Sequence, residues 1–182
     1  MSPNAPLDDM PFAERLSGLM ATARSFAVHW ETRDSYAVDG EDEDFEAWRV
    51  GRVSDEEEAA WWAPFLDDVV AATGRGVVFR RLRVVSEPVS AYIRYEHVGT
   101  GQNVKAGEQV RWLPRAGAHD LWLPALDGWV FDGEVLLLHH FAGDNRMTGH
   151  ELMRDAVRAD AYMRVFERLW EQATPHEKYR IG

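Results

Sequence analysis

The sequence contains no cysteine, only two lysines and seven serines, and no apolar run long enough to cross a bilayer. Without cysteine there are no disulfides, no thiolate zinc or iron–sulfur sites and no thiol chemistry. A membrane-spanning helix needs roughly 18–20 apolar residues in succession, and none is present. The start, MSPNAPLDDMPF, has neither the basic opening nor the short apolar stretch of a secretory signal. Together these absences lead us to expect a cytoplasmic protein. No Gly-x-Ser-x-Gly occurs, so a serine nucleophile on a tight turn is not indicated. Gly74-Arg75-Gly76 and Gly99-Thr100-Gly101 are too short for phosphate loops and lack the Gly-Lys-Ser/Thr ending. His139 and His140 are adjacent, so on a strand they face opposite sides and cannot chelate one metal together. The sequence thus points to no metal and no cofactor.

What remains is a chain of 182 residues, 46% hydrophobic and 12% aromatic, with eight tryptophans. That is enough to build one core. Residues 1–11, polar and holding three prolines, read as a flexible arm, and residues 12–182 as a single globular domain. The formal net charge is −11. Phosphate contacts supply much of the affinity of nucleic-acid binders, so direct nucleic-acid binding does not fit this composition.

Apolar spacing predicts a helix over 10–23 and then a half-buried strand, SFAVHWET. The acidic stretch 39–46 leads into a short helix at 43–51. Ser54-Asp55-Glu56-Glu57 is a capping box for a helix that runs to about Gly74, with a break expected at Pro64. GVVFRRLRVVSE is the most strand-like segment. PVSAYIRYEHVG reads as a short helix and GTGQNVKAGE as a loop. QVRWL, LWLP, GWVFDG and EVLLLHHF follow as short strands, with Asp132-Gly133 a hairpin signal. Asp144-Asn145 marks a second turn. A final amphipathic helix ends near 173, before Pro175. The order implies an α/β or α+β fold, a central mixed sheet flanked by helices.

Two groups could carry chemistry. On the strand, Arg81 and Arg83 share a face with Val77 and Phe79, while Arg80 shares the other with Val78, Leu82 and Val84. Guanidinium groups recognise carboxylate or phosphate bidentately. Arg81, Arg83, Glu87, Tyr92, Arg94 and Arg111, joined by Glu31 and Arg33 from the polar run after the first strand, are therefore candidate ligand-binding residues. The alternative is that the arginines pair internally with carboxylates such as Glu31, Asp34 and Glu96. The second group is a surface: Asp42, Asp44, Glu56 and Glu57, with Trp61 beside them, form an acidic patch suited to a partner protein.

WETRDSY, RRLRVVSEPVSAYIRYE, NVKAGEQVRWLP and WVFDGEVLLLHHF resemble an uncharacterised actinobacterial family, over about residues 12–179. Its members are often encoded beside helix-turn-helix regulators of the Xre type. That resemblance implies a regulatory role and no known activity. A second resemblance concerns fold. From Trp62 to Pro175, within about 54–176, the pattern resembles a single phospholipase-D-like domain, and the N-terminal helix and strand are an extension to it. In active members the hairpin carries His-x-Lys followed by four residues and Asp. With Asp132 as that aspartate, Ala125 stands at the histidine position and Asp127 at the lysine position. Nucleophile and phosphate clamp are both lost, so the resemblance implies no phosphodiester cleavage by that route. A single copy would also need a homodimer to make a two-motif site.

The expectation is a non-catalytic regulatory or ligand-sensing protein acting through a protein partner, a helix-turn-helix transcription regulator. The alternative is a small hydrolase or transferase acting on an anionic substrate at an arginine-rich pocket.

Overall fold

A computed structural model describes residues 11–37, 41–52 and 63–181, with the side chains at 41 and 42 left aside. Seven strands form one mixed sheet in the order β6-β5-β4-β1-β2-β3-β7. The centre is parallel, with β1 (Phe26–Glu31), β2 (Val78–Val85) and β3 (Gln109–Pro114) side by side. On the other side of β1 the sheet turns antiparallel through β4 (Gly128–Phe131), β5 (Val135–Phe141) and β6 (Met147–Arg154). A two-residue strand, β7 (Thr174–Pro175), closes the far edge against β3. The N-terminal helix and strand are therefore not an extension: β1 is the middle strand.

The segment expected to be a half-buried strand is buried on both faces, because helices cover the sheet on both sides. On one face Val28, Trp30, Leu82, Val84, Val130 and Leu136 pack against α5 (Ala156–Gln172) through Phe166, Leu169 and Trp170. On the other, α1 (Phe12–Thr22) and α3 (Ala63–Gly74) cover Ala27, Phe79, Phe131 and Leu137. Farther along that face, α4 (Ala91–Lys105) and α2 (Glu41–Arg49) cover Trp112 with Tyr92, Ile93, Tyr95, Phe45 and Trp48.

Two expected elements differ. GTGQNVK is not a loop but the second half of α4. Each helical glycine costs roughly 1 kcal/mol; here Ile93, Tyr95 and Thr100 are buried by the helix, and packing overrides propensity. LWLP forms no strand: Leu121, Leu123 and Leu126 pack on the α5 side, and Trp122 is left 84% exposed. The capping box and the segment up to Trp62 lie outside the described residues; Pro64 is the second residue of α3.

The Asp132-Gly133 hairpin signal is met: both residues have positive φ (52° and 71°), and Glu134 N–H donates to Phe131 C=O at 3.0 Å. The Asp132 carboxylate does more than turn the chain. It accepts from the backbone N–H of Ser25 (2.8 Å), Arg24 (3.0 Å) and Phe26 (3.1 Å), tying the hairpin to the start of β1. Its pKa sits below the usual carboxylate value: burial pushes it up, and those three N–H groups outweigh the push. We predict that Asp132→Ala lowers stability by about 2–3 kcal/mol through lost charge-assisted bonds. Urea denaturation of the two proteins checks this, and a loss below about 0.5 kcal/mol would contradict it.

Candidate functional site

Strand register builds the site. Side chains alternate between faces, so His29, Glu31, Arg81 and Arg83 share one face, with His29 opposite Arg81 and Glu31 opposite Arg83. The antiparallel neighbours extend the rows: Trp129 lies beside His29, and His139 N–H donates to Asp127 C=O at 2.8 Å. Along β1 and β2 this face runs from apolar (Ala27, Phe79) to charged (Glu31, Arg83) at the carboxyl ends. In open α/β sheets the carboxyl ends of parallel strands are where ligands bind.

A cavity of about 890 Å³ opens over these rows, between α1, the start of α3 and α4. This is within the range of small-molecule sites. Its floor holds Glu31, Arg81, Arg83, Asp127 and His29, and its walls include Phe12, Phe65, Tyr36, Tyr92, Trp129 and Phe141. From α4, Glu96, Thr100 and Asn103 reach it at helical spacing, which is why that helix must continue through the glycines.

Ion pairs hold the floor together. Glu31 is gripped by Arg81 Nη1 and by Arg83 Nη1, each at 2.7 Å. The Arg83 contact to Glu31 Oε2 has ion-pair distance without hydrogen-bond alignment. Arg83 also pairs through Nη2 with Glu96, to which the Tyr92 hydroxyl donates at 3.1 Å. Arg81 Nε donates to Glu108 at 2.9 Å, and Asn103 donates to the other oxygen of Glu108 at 2.8 Å. Burial pushes the Glu31 carboxyl up, against the pull of Arg83 and Arg81. Burial alone would weaken the hold of Arg83 on its proton, but Glu31 and Glu96 outweigh it and strengthen that hold. Asp127 accepts from the Tyr36 hydroxyl and the Thr32 hydroxyl, both at 2.6 Å, and from Thr32 N–H at 2.9 Å.

The histidines form a neutral flank. His29 stacks on Trp129 with ring centroids 4.0 Å apart, and the Nδ1 atoms of His139 and His150 are 3.1 Å apart. Burial holds His29 well below the ordinary histidine pKa, assisted by Arg81. Burial and the neighbouring His150 push His139 down to about 3. Among the described residues no group of three or more His, Asp or Glu side chains is arranged to hold a metal ion.

Of the sequence candidates, Glu31, Arg81, Arg83 and Tyr92 converge here, and four do not. Arg33 donates to Asn145 at 2.6 Å and lies over the Phe141 ring. Glu87 accepts from the Tyr179 hydroxyl at 2.7 Å. Arg94 is exposed on α4. Arg111 faces the other side of the sheet, donating to Trp170 C=O at 2.8 Å with its guanidinium over that ring. The internal pairing weighed for the arginines is present for Arg81 and Arg83. Residues not singled out as candidates, His29, Asp127, Trp129 and His139, complete the site. Asp34, weighed as a mate for the arginines, pairs with Arg115 at 3.8 Å rather than with those of β2, and accepts from Ser86 N–H at 2.7 Å and from its hydroxyl at 2.6 Å.

On the partner surface only Asp44 is described with its side chain. It is half-buried on α2, and slight desolvation with the neighbouring Glu43 raises its pKa. The side chain of Asp42, and Glu56, Glu57 and Trp61 entirely, lie outside the described residues.

The sequence matches one protein family over residues 14–181, nearly the whole chain. The protein belongs to DUF6879, a domain family of unknown function. No curated protein matches it. Among solved structures, the DUF6879 chain is similar to TrmBL2, an archaeal chromatin protein with a novel mode of DNA binding: TM-score 0.49, 11% identity, 89% of this chain and 50% of the other. It thus spans about half the length of that protein. It is also similar to Nuc, a phospholipase D family member from Salmonella typhimurium: TM-score 0.48, 13% identity, 91% and 88% of the two chains. Neither likeness carries an argument about chemistry. No helix among the described residues is long and apolar enough to cross a membrane.

The buried histidines make the fold acid-sensitive. A histidine whose folded pKa lies below its unfolded value binds more protons unfolded, so stability is full above about pH 6.5 and falls as the pH drops toward the folded pKa. For His139 that window runs from about 6.5 to about 3. We predict that His139→Gln flattens the stability–pH curve between about pH 4.5 and 6 by up to about 1.4 kcal/mol per pH unit, one proton's worth. Urea denaturation as a function of pH reads this slope whatever the variant's absolute stability. An unchanged slope would show that His139 does not titrate with folding.

Proposed function

We propose that this DUF6879 protein is a non-catalytic, ligand-sensing regulatory protein, and that it acts through a helix-turn-helix transcription regulator. The observation that carries the reading is the position of Tyr92. This residue lines the cavity and, through its hydroxyl, touches the Arg83–Glu96 pair. Its ring also meets Phe45 of α2 at 5.6 Å, and Phe45 in turn meets Tyr95 at 5.6 Å. One aromatic cluster therefore joins the cavity wall to α2, whose sequence, EDEDFEAWR, is strongly acidic. A ligand that shifts Tyr92 shifts Phe45 with it, and α2 changes what it presents. Glu43 and Glu46 are exposed on that helix. Complementary charge speeds encounter and selects partners, so the acidic helix favours a basic face on the regulator. The resemblance of this sequence to a family often encoded beside such regulators favours the choice of partner.

The expected outcome is that the tagged protein, captured from its native lysate, brings down a helix-turn-helix regulator in stoichiometric amount. The triple substitution Glu43→Gln, Asp44→Asn and Glu46→Gln lowers that recovery at least about tenfold with unchanged circular dichroism. Recovery of no such regulator, or equal recovery with the triple variant, would overturn the partner and its surface.

A further inference from the structure

We infer that the cavity takes an organic cation, an amine with an apolar body; this rests on the ligand-sensing reading above and names the ligand class. Three observations lead to it.

The first is charge. Among the described residues the cavity lining carries five carboxyl groups, Glu14, Glu31, Asp68, Glu96 and Asp127, against two guanidiniums. Both guanidiniums are already paired with carboxylates. Arg83 is held by Glu31 and Glu96, and Arg81 by Glu31 and Glu108. An anion that displaced one of these carboxylates would leave it buried without its counter-charge, which is strongly unfavourable. A cation meets no such obstacle. Asp127 lines the cavity and takes neutral donors only, from Tyr36 and Thr32, with no ion pair to an arginine among the described residues.

The second is an unsatisfied atom. His29 is 8% exposed, lines the cavity and has its Nδ1 buried with no hydrogen-bond partner. Glu31 Oε1 lies 3.3 Å away but out of line for a bond. Buried polar atoms of this kind call for a partner. An ammonium N–H donates equally to an unprotonated ring nitrogen and to a carboxylate oxygen, so one amine group can serve His29 and the carboxylates at once.

The third is the wall. Phe12, Phe65, Tyr36, Trp129 and Phe141 give an apolar, aromatic surround. Such rings bury the body of a ligand, and their faces attract positive charge. The protein uses this attraction itself, with the Arg81 guanidinium 5.4 Å from the Phe65 ring centroid.

Three probes of one shape test the inference: benzylammonium, benzyl alcohol and benzoate. Each is titrated into the full chain at pH 7.5 and low salt, with calorimetry and tryptophan fluorescence as readouts. Benzylammonium is expected to bind saturably and at least about tenfold tighter than the other two, a difference of about 1.4 kcal/mol. Asp127→Asn is expected to abolish most of that preference. Because Asp127 also anchors Thr32, Asp68→Asn, on partly exposed α3, is the second variant, with an expected loss of about threefold in benzylammonium affinity. Benzoate or benzyl alcohol bound as tightly as benzylammonium would overturn the cation assignment and leave the ligand-sensing reading standing. No saturable response to any of the three would overturn the cation assignment, while the partner capture above would judge the regulatory reading separately.

Discussion

Glu31 sits at the carboxyl end of the sheet's middle strand, buried, and the arrangement around it follows from the need to balance its charge. The two guanidiniums that do so come from the next strand, β2, at positions fixed by the parallel register. Each guanidinium then requires a second carboxylate. Arg83 finds Glu96 on α4, and Arg81 finds Glu108 just before β3. A helix and two strands are thereby set relative to β1 by charge as well as by packing. Removing one member would leave a buried, uncompensated charge, which costs about 3–5 kcal/mol. Replacing the whole network with apolar side chains would often be neutral or better for stability. A chain that keeps such a network at the edge of a cavity gains specificity and polarity there rather than stability.

The same strands serve two purposes because their faces alternate. Even-numbered positions of β1, β2 and β4 form an apolar core with α5, interrupted on β2 by Arg80, which pairs with Glu167 of that helix. Odd-numbered positions begin as core under α1 and α3 and become polar toward the carboxyl ends of β1 and β2. The polar end stays open because no single helix lies across it; α1, α3 and α4 meet around it instead. Each helix brings both aromatic and acidic side chains: Phe12 and Glu14 from α1, Phe65 and Asp68 from α3, Tyr92 and Glu96 from α4. The cavity is therefore aromatic and acidic on every side.

Much of this was legible in the sequence. The alternation in VFRRLRVV placed Arg81 and Arg83 on one face, the surplus of carboxylates foretold their pairing, and Asp132-Gly133 marked its hairpin. Other parts were hidden for physical reasons. Glycines at 99 and 101 spoke for a loop, yet the polar spacing of Glu96, Thr100 and Asn103, four and three residues apart, was the signal that α4 continues. Arg111 lies in the register row of Leu82 rather than of Arg83, a one-residue difference that sends it to the far face. The central place of β1 could not be read locally, because pairing with β4 joins segments about a hundred residues apart. Asp127 drew notice only as a missing lysine, although its carboxylate is one of the site's own functional groups.

The way these groups are spent bears on what the site can do. A general base or acid works best when its pKa lies near the working pH and a proton can leave or arrive freely. His139 is pushed down to about 3 by burial and by His150, and burial also holds His29 low. At neutral pH both rings are uncharged and weakly basic, suited to accepting a hydrogen bond and poorly suited to taking a proton. An electrophilic clamp needs a guanidinium whose donors face the substrate, and here Arg81 and Arg83 are each paired with two carboxylates, drawn from Glu31, Glu96 and Glu108. Tyr36 has its hydroxyl committed to Asp127, and burial with that contact pushes its pKa up. His29 and His139 are thus detuned, Tyr36 is engaged, and Arg81 and Arg83 are each paired with two carboxylates. What the cavity offers a ligand is shape, aromatic surface and a surplus of carboxyl groups over guanidiniums.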